Sequence, residues 1–464
     1  PRHSLDSLTV RAFPAPNVPQ PRIFTEPRSI ATGSDGDPVV NARILRKGPD
    51  LKTGMVDSTL DDELRNQVQD GELIFNANEP RWQGDLGAYL RETVTEAAKP
   101  IQLRVIGSGV RRFTPVRLPD GLSLTIRVDP PSTADSEWLS WMPRAESGGE
   151  TLIELRGGSL VLSRFRLRND ESTSLRSLIT VSRGNLVLHA CQLTSTDRHE
   201  KDAGWLIDYR AASTEPLPRP GPSSPSIFTA ETDRPACVIG DSVLISADAA
   251  IRAEVGRGVV AVERSAIAAR TDAITLVPSR VARDRFDADL MLDRCTIASE
   301  TNIIRLERWP GAGSGPDRPW LVTSHNNAFL GTYERRVSET VLLRADEGAM
   351  ASGTLFWQGS GDAAEVEAFT AAIGEPPSNR SKDLILGWVN FWGGGHIQDA
   401  TGTRAGSSTP SIRLFERLKP GRVEARDLTL DPSYHPGRRG LDVGADIAEV
   451  GPVSPQRSAY GQNH

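Results

Sequence analysis

Glu263, Asp293 and His325 occupy the same place in three successive copies of a nine-residue phrase, and each is followed directly by Arg264, Arg294 or Asn326. If every copy makes one rung of a stacked structure, the three side chains stand in a line about 5 Å apart with two arginines beside them. Two carboxyl groups at that spacing suit acid/base or nucleophilic attack at a glycosidic bond. With Ca2+ and an arginine they could instead take a proton from a carbon next to a carboxylate. The plain alternative is a solvated row of charges, because outward positions of a stacked solenoid are ordinarily polar. A second acidic group, Asp284, Asp287, Asp289 and Asp293, is interleaved with Arg283 and Arg285 and reads as an internally neutralised loop. No metal ligand is assigned from it, and Ca2+ is the one cofactor these acids suggest. A third group, Trp388, Phe391 and Trp392 with His396, offers flat faces for sugar stacking, or else an apolar anchor for its own segment.

The element that must position these groups is the phrase itself. It runs over residues 159–167 (SLVLSRFRL), 185–193 (NLVLHACQL), 236–244 (ACVIGDSVL), 259–267 (VVAVERSAI), 289–297 (DLMLDRCTI), 321–329 (LVTSHNNAF), 349–357 (AMASGTLFW) and 422–430 (RVEARDLTL). The gap before Ala236 reads as two turns, and the gap before Arg422 as a turn carrying a large insertion. The second, fourth and ninth positions are mostly apolar, which describes a short strand, a corner and the start of another strand. A further strand precedes the phrase at Ile153 and Leu155, Ile179 and Val181, Ala253 and Val255, and Val341 and Leu343. One such turn cannot bury its inner face. Turns stacked about 4.8 Å apart share a continuous core and hydrogen-bond each strand to the next. The expected fold is therefore all-β, a right-handed parallel β-helix forming a single solenoid.

Two columns bear on what surrounds the solenoid. The third position points outward yet reads Val161, Val187, Val238, Ala261, Met291, Thr323, Ala351, an apolar stripe that calls for a cover, from this chain in preference to another. Cys191 and Cys295 share the seventh position with Phe165, Ser242, Ser265 and Asn327, and Cys237 sits in a core column. Rungs that far apart cannot be bridged, so the three read as small buried residues that leave the redox compartment open.

At 464 residues the chain fits one long solenoid with additions. Residues 1–80 read as a Pro-rich linker or extended arm, and 81–357 as a capping helix plus the main solenoid. Residues 358–421 read as an insertion with one helix and the aromatic segment, and 422–464 as a last turn with a C-terminal cap. The capping helix is expected over 86–99, ended by Pro100. The insertion helix is expected to start at Asp362 and Glu365 and to carry Val366, Phe369 and Ile373 on one face. Residues 440–450 are expected to seal the far end. The net charge is −6 with both signs interspersed, so no basic field for nucleic acid exists. Of 54 cationic residues 48 are Arg, read as the mark of a GC-rich bacterial genome. No run of about 18 apolar residues spans a membrane. The opening at Pro1 without Met raises the expectation of a fragment with a signal, anchor or domain upstream.

The stacked phrases resemble the pectin-lyase-like, right-handed β-helix superfamily over roughly residues 101–357 and 422–450. Residues 101–128 (IQLRVIGSGVRRFTPVRLPDGLSLTIRV) are similar to the first turn of its bacterial members. That superfamily holds lyases, hydrolases, adhesins and domains without known activity, so the resemblance implies a fold before it implies a function. Through its lyases it implies a role for Arg264 or Arg294 in neutralising a uronate. The paired aspartates with Gly-His-Gly and Arg-x-Lys of its hydrolases are absent. The Trp-x-Asp-His pattern of its lyases has a partial echo at 205–209 (WLIDY), where Tyr209 replaces the His. The expectation is a non-catalytic or degenerate β-helix domain of a larger, envelope-associated bacterial protein that presents a rigid face to glycans or other surface ligands. The competing expectations are a divergent polysaccharide lyase or glycoside hydrolase built on Glu263, Asp293 and His325, and a structural or protein-interaction rod using the valine stripe. Oligomeric state stays open.

Overall fold

The computed structural model describes residues 31–32, 38–39, 72–95, 99–131, 137–144, 150–169, 175–195, 204–211, 235–279, 286–307, 320–331, 340–345, 355–360, 362–366, 368–372, 444–445 and 450–452. Three all-parallel sheets of ten, nine and nine strands run the length of the solenoid. The first sheet contains Leu73–Asn76, Ile101–Ile106, Ser123–Val128, Ser159–Ser163, Asn185–His189, Ala236–Gly240, Arg257–Glu263, Asp287–Asp293, Trp320–His325 and Leu355–Ser360. The chain then turns a two-residue corner into the second sheet, for example from Ser159–Ser163 to Arg166–Asn169, and returns through the third, for example Ser177–Ser182. This is an all-β parallel solenoid, consistent with a right-handed β-helix.

The phrase columns become ladders. Leu160 pairs with Leu186, Leu186 with Cys237, Cys237 with Val260, Val260 with Leu290 and Leu290 with Val322. All are fully buried and join one core that runs from Phe75 to Trp357. At about 1.5–3 kcal/mol for each large apolar side chain withdrawn from water, this shared core is what a single turn could not supply. At the near end, helix Leu86–Thr93 packs Leu86, Tyr89 and Leu90 inward, and its N-cap Asp85 accepts from Ala88 N–H and Thr114 N–H. The helix lies against the end strands Val110–Phe113 and Val116–Arg117 of the second and third sheets, as a cap does. It stops at the C-cap Val94, earlier than the sequence period suggested.

Several expectations need correction. Asn185–His189 pairs directly with Ala236–Gly240, so the long gap before Ala236 is one turn with an insertion, not two turns. The helix expected from Asp362 is absent: Ala363–Glu365 and Ala368–Ala372 are strands that extend the second and third sheets. An unpaired sheet edge left by the preceding turn outweighs a helical spacing of only three apolar residues. Register shifts with it, since Trp357 pairs with Val322, so Phe356 and not Ala349 opens that phrase, and Gln358 and not Ala351 ends the third column. Within the expected linker 1–80, Leu73–Asn76 adds an end strand to the first sheet, and Ala31–Thr32 pairs antiparallel with Pro38–Val39. The phrase at 422–430 lies outside the described residues.

The C-terminal pieces sit along the wall instead of across its end. Gly444 N–H donates to Asn326 O (2.8 Å), Ala445 N–H to Thr296 Oγ1 (3.0 Å) and Gly451 N–H to Asp241 O (2.6 Å). Arg166 then donates to Pro452 O (3.2 Å). The contacts of Gly444, Ala445, Gly451 and Pro452 thus fall on four turns in reverse chain order, beside the outward side of the second sheet, where Val243, Ala266, Thr296 and Ala328 are small and buried.

Candidate functional site

The corner between the first and second sheets builds the candidate site. Its sixth-position residues Arg164, Ala190, Asp241, Arg264, Arg294 and Asn326 all adopt left-handed backbone, with φ between 42° and 55°. For Arg and Ala that conformation costs about 1 kcal/mol or more each. From Arg164 to Arg294 it holds because the N–H reaches the fifth residue of the next turn: Asp241 N–H donates to Glu263 O (3.1 Å), Arg264 N–H to Asp293 O (2.8 Å) and Arg294 N–H to His325 O (2.9 Å). The seventh side chain then points inward and serves the backbone. Cys191 N–H donates to Ser242 Oγ (3.0 Å), Ser242 N–H to Ser265 Oγ (3.0 Å), Cys295 N–H to Asn327 Oδ1 (2.8 Å) and Asn327 N–H to Asp362 Oδ1 (2.8 Å). The three cysteines are buried and unbridged, and burial pushes the Cys191 and Cys237 thiols up to about 12.

The fifth column stacks as the spacing predicts. Ser163 pairs with His189, His189 with Gly240, Gly240 with Glu263, Glu263 with Asp293, Asp293 with His325 and His325 with Ser360. Its setting differs from a solvated row. Glu263 is only 7% exposed and His189 is 5% exposed, while Asp293 and His325 are half-buried. Arg264 grips Asp241 through Nε (2.8 Å) and Nη2 (2.7 Å) and reaches Glu263 Oε1 through Nη1 (2.9 Å). His189 Nδ1 stands 3.5 Å from Asp241 Oδ2, and His325 Nε2 lies 3.1 Å from Asn326 Nδ2. Burial pushes the Glu263 carboxyl up to about 7; Arg264 and Arg294 oppose the shift, while Asp293 and Asp241 add to it. Glu263 Oε2 is buried and has no hydrogen-bond partner among the described residues. Arg264, expected to be available for a substrate acid, is thus engaged by two carboxylates of its own chain.

The other candidates fall as follows. Among the described residues no three His, Cys, Asp or Glu side chains converge to hold a metal ion. Asp287, Asp289 and Asp293 share one strand, and Asp284 lies outside the described residues. Trp388, Phe391, Trp392 and His396 lie outside them too. The valine stripe is buried in the isolated chain, where Val161, Val187, Val238 and Ala261 form a separate apolar cluster with Ala236 and Val259, against which Met291 packs. Asp208 of the WLIDY segment is a buried strand residue paired to Arg210 and to Arg252 (2.9 Å).

Sequence reading passed over two features here. The eighth column changes from Arg166 and Gln192 to Val243, Ala266, Thr296 and Ala328, and that loss of polarity on an outward face was the available signal for the C-terminal contacts. The third sheet's outer face carries the charge instead. Glu154, Thr180, Asp208, Arg252, Thr275, Arg305 and Arg344 form one ladder there. Trp205 stands beside it with Arg176 and Arg252 over its ring at 5.8 and 5.6 Å.

The architecture places the chain in the class of parallel β-helix proteins. No protein-family model, curated protein or solved structure matches it. Among the described residues no helix is long and apolar enough to cross a membrane.

Proposed function

We propose that this chain is a non-catalytic, or catalytically degenerate, β-helix domain of the pectin-lyase-like type. It belongs to a larger bacterial envelope-associated protein and offers its third-sheet face to glycans or other surface ligands. The observation that carries this reading is the contrast between the outer faces: the first and second sheets bury small or apolar outward columns over their middle turns, whereas the third carries a ladder that includes the part-exposed charges Glu154, Arg252, Arg305 and Arg344. Half-buried Trp205, flanked by guanidinium groups, supplies a ring face of the kind on which sugars stack. The internal pairing of Asp241, Arg264 and Glu263 supports the absence of turnover at the candidate column.

A second reading, a divergent polysaccharide lyase or glycoside hydrolase, is favoured by one observation. Glu263, raised to about 7, stands one rung from Asp293, a pairing suited to acid and base roles. The rod reading loses support, because the stripe it needs is buried within the chain.

Native electrophoresis through gels cast with acidic and neutral polysaccharides separates the two. Retardation without clearing, abolished by Trp205→Ala, is the expected result. Free migration in every gel defeats the binding reading. Cleared zones that vanish in Glu263→Gln or Asp293→Asn establish the enzyme instead.

A further inference from the structure

A recess of about 230 Å3, open mouth included, lies beside Trp205 where the second sheet turns into the third. Its floor is polar. Asn169 and Ser246 end strands of the second sheet, Ser177 opens one of the third, and Asp248 lies in a corner between them; all four are buried. Trp205 is half-buried and Arg176 exposed, so these two make the rim. Inside the mouth there is room for about one water molecule. Along its own ladder Trp205 pairs with Ser177 on the preceding rung and Ala249 on the following one, so no bulky neighbour of that column lies against the indole.

Hydrogen bonds fix the floor. Asp248 N–H donates to Ser246 Oγ (3.1 Å), and Asp248 Oδ2 accepts from Gly204 N–H (3.3 Å). An ionised carboxylate accepts from about four directions, so Asp248 can take a hydroxyl that enters the recess. A group that replaces water there must be small, must donate a hydrogen bond and must not be anionic. A primary hydroxyl meets all three conditions. A carboxylate fails the last two, and a methyl group displaces the water without replacing its donor. The neighbouring cations do not reverse this choice. Arg176 stays on the rim with its guanidinium 5.8 Å from the centre of the Trp205 ring, and Arg252 is held by Asp208 and Glu254.

We infer that this recess selects the ligand of the third-sheet face: a neutral sugar lying on Trp205 places its free hydroxymethyl group in the recess, where the hydroxyl donates to Asp248. Acidic sugars, in which that carbon is a carboxylate, are turned away by the like charge. The inference rests on the glycan reading above and narrows it to one class of sugar.

Saturation-transfer NMR on the full chain tests it. The probes are oligosaccharides of glucose, galactose and mannose, each paired with a counterpart whose hydroxymethyl carbon is oxidised to a carboxylate. A neutral sugar should receive transfer, strongest at its hydroxymethyl protons, and its oxidised counterpart should bind about ten-fold more weakly. Asp248→Asn should close that gap, since the amide keeps an acceptor and loses the charge; a gap that persists overturns the role of Asp248. No transfer to any of the sugars, or transfer that survives Trp205→Ala, overturns the glycan reading and this inference together. Transfer that Trp205→Ala abolishes, but that favours the ring protons or the oxidised counterpart, keeps the glycan reading and overturns the recess. The wild-type comparison decides between these outcomes even if Asp248→Asn does not fold.

Discussion

The outer faces of the first and third sheets are made by the same turns of the same chain, yet they differ in almost every outward residue. In the first sheet the third column reads Val161, Val187, Val238, Ala261, and these side chains are nearly inaccessible. In the third sheet the corresponding outward ladder holds Glu154, Asp208, Arg252, Arg305 and Arg344. Its charges pair along and across strands, Arg156 with Glu154 (2.8 Å) within one strand and Arg252 with Asp208 (2.9 Å) between two. Inside, both sheets present the same aliphatic ladders. The inward pattern therefore specifies the fold, and the outward pattern reports what lies beyond each wall: more protein on one side, water or a ligand on the other.

The sharpest way to break the contrast is to put a charge on the covered face. Val238→Asp, at a position 5% exposed, should cost about 4 kcal/mol or prevent folding, measured by denaturant unfolding. A loss below about 1 kcal/mol would mean that the face is open in solution.

A second test uses the inward corner ladder, which differs from both faces in burying an acid. Asp362 accepts from Ser324 Oγ and from Asn327 N–H and Nδ2, and burial pushes its carboxyl up to about 7. Its folded value lies above the unfolded one of 3.8, so the folded state holds the proton more tightly. Its contribution to stability should be greatest below about pH 4, fall as the pH rises toward 7 and level off beyond, by about 4 kcal/mol in all. Glu263 adds a slope of the same sign. Asp362→Asn, with an amide that can keep the three contacts, should remove most of the dependence in unfolding curves recorded from pH 4 to 8. An unchanged slope would assign it elsewhere.

Smaller again, Asp241→Ala strips Arg264 of its two-pronged partner and should cost about 2 kcal/mol by the same unfolding assay. On the open face, Glu154→Ala removes a part-exposed ion pair and should cost no more than about 0.5 kcal/mol. Equal effects at these two positions would erase the distinction between the walls.

Much of the architecture was legible in the residues, because aliphatics recurring at the same second and fourth positions of every phrase, as Leu186 and Leu188 or Val260 and Val262, leave little choice but a stacked strand with those positions inward. The vertical row of Glu263, Asp293 and His325 followed from the same spacing. Its burial did not, since the cover over an outward row comes from elsewhere in the chain and leaves no mark on the row itself. The last turn was misread because its core positions are Trp357, Gly359 and Ala364, which break the aliphatic signature, and because Asp362 with Glu365 imitates a helix start. The two cysteines of the seventh column were read as small buried residues. Cys, Ser, Asn and Asp share it for a different reason: each can offer a polar atom to a backbone group that the corner leaves inside.

The hold on Gly444, Ala445, Gly451 and Pro452 has a consequence for how this molecule comes apart. A plain solenoid is a chain of nearest-neighbour links, so its ends can fray one coil at a time while the middle persists. Here Pro452 O is held by Arg166, 286 residues earlier, and Gly444 by Asn326 near the far end. Coils that otherwise meet only their neighbours are lashed together lengthwise, so peeling from the last coil must first release the lashing. Unfolding should therefore be steep and concerted, and folding slow to finish, because this longest-range closure can form only after the coils beneath it exist.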